Sequence, residues 1–67
     1  MIHRRTLHAA YFEYEDIPTE RPEAKRVAST LGLWWKERRE GDIEGIEVQG
    51  PAAPIATFRA AMGVPEP

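Results

Sequence analysis

The sequence predicts an α+β fold, a small three-stranded antiparallel sheet with two helices in the order β-α-β-β-α. Three observations carry that expectation. Gly41-Asp42 sits between two runs able to pair as strands, an amphipathic helical pattern follows Pro22, and a second short helical pattern follows Pro54. A Gly at the first central position suits a type II′ turn, whose twist matches a two-residue hairpin. Folding about it sets Glu40 opposite Ile43, Arg39 opposite Glu44, Lys36 opposite Glu47 and Trp35 opposite Val48. That register yields two opposite-charge pairs and one aromatic/β-branched pair. It also divides the hairpin into two faces, Leu33, Trp35, Ile46 and Val48 on one and Trp34, Lys36, Arg38, Glu47 and Gln49 on the other. The first face is predicted to be core and the second free to meet a partner.

In chain order, Thr6 to Glu15 is aromatic-rich without Gly or Pro and is closed by Ile17-Pro18, which reads as the first strand. Its two faces, Leu7/Ala9/Tyr11 and His8/Ala10/Phe12/Tyr14, are both apolar, which predicts a strand covered at least partly on both sides. Ile17 to Pro22 reads as a connection. Pro22 then fits the first turn of a helix, with Thr19 as a cap and Glu20 and Glu23 near the positive end of the dipole. Ala24, Val27, Ala28 and Leu31 follow at helical spacing, so the helix is expected from about Arg21 to Leu31. Gly32-Leu33 looks like a left-handed glycine cap with its hydrophobic contact. The rival reading continues the helix through Trp35 to Glu40, tolerating Gly32 at about 1 kcal/mol. The break explains more residues and is preferred.

After the third strand, Ile43 to Gln49, the segment Gly50-Pro51-Ala52-Ala53-Pro54 is a break. Pro54 opens a second helix in which Ile55, Phe58 and Met62 share a face, and Gly63 and Pro65 stop it. So short a helix must dock, and the Leu33/Trp35/Ile46/Val48 face is the natural place. The 67 residues are expected to form a single domain, with mobile ends at about 1–4 and 64–67.

The formal charge of −2, with 30% charged residues of both signs interleaved, argues against a generic DNA-coating protein. Without cysteine there is neither a disulfide nor a thiolate metal site, and a cytoplasmic, soluble chain is expected. His3 and His8 stand five apart, so on a strand they face opposite ways, and no metal or other cofactor is expected. Ser29 is mid-helix without a nucleophile frame, and so short a chain has little volume for a pocket that could desolvate a carboxylate. No catalytic residue is assigned, and the chain is read as a binder rather than an enzyme.

Trp34, Lys36 and Arg38 are the expected contact group. An aromatic and basic sheet face serves protein interfaces, where Trp, Tyr and Arg are the enriched anchors, and also single-stranded nucleic acid. Glu13, Glu15 and Glu47 on or near the same sheet would repel phosphate, which places a protein partner first and a nucleic-acid module as the alternative. A chain this small can also complete its core with a copy of itself, as a two-fold homodimer. Lys25, Arg26, Arg21 and Arg59 form a possible second basic surface, explained equally by a solvated helix face.

The run Ala24-Lys25-Arg26-Val27-Ala28-Ser29, behind a first strand and ahead of a hairpin, resembles small phage-encoded anti-CRISPR inhibitors over about residues 7–31. One such family has a similar run after its first strand. The resemblance implies a protein that occupies a surface of a CRISPR surveillance complex, often where target DNA would lie, and by that analogy Lys25 and Arg26 contact the partner.

Overall fold

A computed structural model describes residues 6–66. Its elements are β1 (His8–Glu13), α1 (Ile17–Thr30), β2 (Trp34–Glu40), β3 (Ile43–Gly50) and α2 (Ala52–Met62), the α+β order expected. The chain reverses at Gly41-Asp42, with φ +62° at Gly41 and no positive φ at Asp42, as a type II′ turn requires. The β2–β3 register is the expected one, with Glu40 opposite Ile43, Arg39 opposite Glu44, Lys36 opposite Glu47 and Trp35 opposite Val48. Both ladders are antiparallel, and β3 lies in the middle of the order β1-β3-β2.

The helix break falls at Gly32. Its φ of +69° lets the Leu33 amide donate back to the Ala28 carbonyl at 2.9 Å and its own amide donate to Ser29 at 3.0 Å. These are the two bonds of a Schellman ending, and Leu33 then folds down into the core. An uninterrupted helix to Glu40 does not form.

Two expectations are corrected. α1 begins at Ile17 rather than Arg21, with Pro18 rather than Pro22 in its first turn. The Asp16 carbonyl accepts the Thr19 and Glu20 amides at 3.1 and 2.8 Å, and the Glu20 carboxylate turns back to accept the Asp16 amide at 2.8 Å. Glu20 therefore does the reciprocal half of a capping box, and Thr19 lies inside the helix rather than capping it. Pro22 forfeits only the bond to the Pro18 carbonyl, close enough to the helix start to be carried.

The second correction concerns β1, which is covered on one face only. Ala10 and Tyr14 are buried and Phe12 is half-buried, whereas Tyr11 is 42% and Leu7 65% exposed. Both helices pack on the same side of the sheet, and among the described residues no element covers the other. Ala24 and Ala28 of α1 and Ile55 and Phe58 of α2 meet Ile46, Val48, Leu33 and Ala10 in one cluster, with Trp35 and Met62 at its margin. The expected mobile end at 1–4 lies outside the described residues. Near the other end, the Val64 amide donates to Arg59 at 2.8 Å and the Pro65 carbonyl accepts from Arg59 at 3.1 Å.

Gly45 marks the uncovered face. It stands opposite Glu13 and Arg38 in the centre of the sheet, and the Tyr11 ring lies across it where a side chain would have been. A Cβ there would come within 2.6 Å of the Phe12 carbonyl oxygen as well as meeting the Tyr11 ring. Gly45→Ala is therefore expected to lower unfolding free energy by about 1–3 kcal/mol, read in urea titrations, because the ring and the backbone must both shift.

Candidate functional site

Alternation and register lay the uncovered face out in rows. Ala9, Gln49 and Trp34 form one row, Tyr11, Glu47 and Lys36 the next, and Glu13, Gly45 and Arg38 the third. Ile43 and Glu40 close the face at the turn. Trp34 is half exposed and Ile43 52% exposed, so the face presents an indole, a phenol and two aliphatic groups, counting Leu7 beside β1.

Its charges are nearly balanced. Although Lys36 is directly opposite Glu47, the carboxylate is taken by the diagonal neighbour, with Arg38 Nε donating at 2.7 Å and the Gln49 amide donating at 3.3 Å. A guanidinium presents two donors in a fixed fork and an ammonium does not, which favours Arg38 over Lys36. The Arg38 hydrogen bond, followed by that of Gln49, holds the Glu47 carboxyl below its ordinary value of 4.5. Lys36 has no ion-pair partner among the described residues.

Trp34, Lys36 and Arg38 thus share one surface, as expected. Lys25 and Arg26 are elsewhere, on α1 across the sheet. Lys25 Nζ lies 2.9 Å from a Glu37 oxygen and 5.5 Å from the centre of the Trp35 ring, so its charge already serves the fold, while Arg26 is exposed. Tyr11, Ile43 and Leu7 were not among the expected contacts. The signal for Tyr11 was Gly45, diagonal to it on the neighbouring strand, which gives the aromatic ring bare backbone to lie across.

A second constellation lies at the far end of the helix-covered side. Arg21 NH2 meets Glu44 at 2.6 Å, its Nε is 3.4 Å from Glu37, and Arg39 is 3.8 Å from Glu44. These residues surround a cavity of about 80 Å³ together with Tyr14, whose buried hydroxyl has no hydrogen-bond partner. Burial, and next the Glu37 carboxylate, push the Tyr14 phenol up from 10.0 to about 12. The cluster pins α1 to the hairpin. Two carboxylates already answer its guanidinium groups, so it is a structural seam. Among the described residues no group of three or more His, Cys, Asp or Glu could hold a metal ion, and no helix is long and apolar enough to cross a membrane.

No protein-family model matches the chain, nor does any curated protein or solved structure.

Two titrations follow. Arg38→Ala should return the Glu47 carboxyl toward 4.5 in an NMR titration. Because the folded value is depressed, the Glu47 contribution to stability is present above about pH 4.5 and is lost as pH falls through the folded value. Tyr14 has the opposite sign. Its unfolded phenol ionises near 10.0 and its folded one only near 12, so stability falls as pH rises from 10.0 toward 12. Tyr14→Phe should abolish that share of the alkaline loss. At neutral pH it should change stability by less than about 1 kcal/mol, since the hydroxyl it removes bonds to nothing.

Proposed function

We propose that this chain is a non-enzymatic binding domain that docks a protein partner on the open face of its sheet, with Trp34 as anchor and Lys36 and Arg38 beside it. The observation that carries the reading is the half-exposed indole of Trp34, on a sheet face that neither helix covers and that also displays Tyr11 and Ile43. Large aromatic side chains ringed by polar groups are the usual energetic centres of protein interfaces. The Arg38–Glu47 pair supplies an orienting dipole beside the indole rather than net charge. Phosphate is the poorer ligand, since Glu13, Glu40 and Glu47 share the face and Arg38 is already engaged. Lacking cysteine, the chain suits the reducing cytoplasm as its place of work. The resemblance of residues 7–31 to anti-CRISPR inhibitors makes a CRISPR surveillance complex the partner to try first, with Arg26 and Lys25 as further contacts under that analogy.

The double variant Trp34→Ala/Arg38→Ala tests this. Capture of the partner from the source cell, or from purified surveillance complex, should weaken by at least roughly thirtyfold, as for loss of an anchor worth about 2 kcal/mol. The melting temperature should stay nearly unchanged. A large fall in stability would instead make Trp34 a structural residue. Binding to oligonucleotides that collapses with added salt would assign the face to nucleic acid.

A further inference from the structure

We propose that two copies of this chain pair face to face through their open sheet surfaces, about a two-fold axis running along β3. A rotation about such an axis keeps strand direction and exchanges left for right. Each row of the face is then met by the same row of the second copy, with β1 over β2 and β3 over itself. The face is self-complementary under that operation because its two outer strands carry opposite halves of each contact. Shape is the first of these. In the row Ala9, Gln49, Trp34, a small side chain stands at one end and the largest at the other. The Trp34 indole is half exposed, whereas a hollow of about 350 Å³ lies on the Ala9 side, walled by Tyr11, Glu47 and Arg38. The two-fold lowers each indole into the other copy's hollow, with Leu7, two residues before Ala9 and 65% exposed, beside it. Tryptophan is the side chain that gains most from such a seat.

Charge follows the same division, and it selects a second copy as the occupant. Glu13 on β1 and Lys36 on β2 are exposed, and neither has an ion-pair partner among the described residues. Within one chain they are kept apart by two strand spacings, roughly 10 Å, and by the Arg38–Glu47 pair between them. The rotation sets the second copy's Arg38 over Glu13 and its Lys36 one row away, with the side chains pointing toward one another. On the axis Ile43 meets Ile43 and Gln49 meets Gln49. Glu47 also meets its own copy there, and the Arg38 guanidinium bound to each carboxylate answers the charge. Glu40 lies past the end of β1, outside the paired rows. The paired area, roughly 15 Å across the strands by 20 Å along them, is small beside that of an obligate dimer. Pairing is therefore reversible, and it competes with the docking of another protein on the same face. It needs no such protein, so it stands or falls apart from the docking reading.

The mass of the full chain in solution, followed by light scattering over a dilution series up to about 1 mM, tests it. The expected result is a rise from one chain toward two with concentration. Lys36→Glu and Glu13→Lys should each weaken the pairing by about tenfold or more, since each removes the attraction to Glu13 or reverses it. An equimolar mixture of the two variants should pair more tightly than either alone, because the two introduced charges then face each other across the axis. Trp34→Ala, which leaves the Ala9 hollow empty, should also weaken pairing by about tenfold or more. Far-UV circular dichroism should stay as in the parent for all three, and if Glu13→Lys fails to fold, Trp34→Ala decides. A single-chain mass at every concentration overturns the proposal. So does a dimer indifferent to Trp34→Ala, or a mixture that pairs no better than Lys36→Glu by itself. Partner capture that survives Trp34→Ala/Arg38→Ala would sink the docking reading and leave this pairing untouched.

Discussion

Everything in this molecule is arranged around the burial of Ile46 and Val48. Among the described residues β3 is the only strand hydrogen-bonded on both sides, and these two side chains, with Phe58 from α2, are the largest fully enclosed groups. Each is worth about 1.5–3 kcal/mol when removed from water, a large share of what so short a chain can gather. Both helices must cover the same two positions, so both lie on one side. The bare opposite face follows from that limit of material, and with it the exposure of Trp34 and Tyr11.

The helix-covered side changes character along its length. Near β2's start it is apolar, with Trp35 over Val48 and Leu33 below α1. Toward the turn it becomes ionic, with Glu37 gripped by Lys25 and Arg21 and Glu44 by Arg21 and Arg39. Partly exposed pairs of this kind contribute little individually, and here they set the seating of α1 more than its stability. Gly50 completes the apolar end. Leu33 occupies the space where its Cβ would stand, so the residue leaving the helix and the residue ending the sheet fit only as a pair.

The hairpin was legible in the sequence because three signals agreed there: a glycine where the turn needs positive φ, opposite charges at matching distance, and an apolar alternation with the same register. The end of α1 was legible for a similar reason, since Gly32 and Leu33 play complementary parts in one ending. Its beginning was not. Pro18 and Pro22 stand one helical turn apart and either suits a first turn, and the choice between them was made by the Glu20 side chain folding back on the Asp16 amide. The open face of β1 could not be chosen from its own residues, because both alternating sets are apolar. The contact group Trp34, Lys36 and Arg38 came with the hairpin. Tyr11 joined it only once β1 was known to lie beside β3, and the diagonal Arg38–Glu47 pair depends on side-chain reach, which register alone does not specify.

The strand order also divides the labour of assembly. The β2–β3 ladder closes across two residues, while β1 meets β3 only by enclosing all of the chain from Tyr14 to Glu44. Loop entropy makes the first step local and the second distant. A nascent form with α1 and the hairpin in place but β1 still loose would expose Ile46 and Val48 along one flank, and its escape from aggregation would rest on how quickly the first strand comes home.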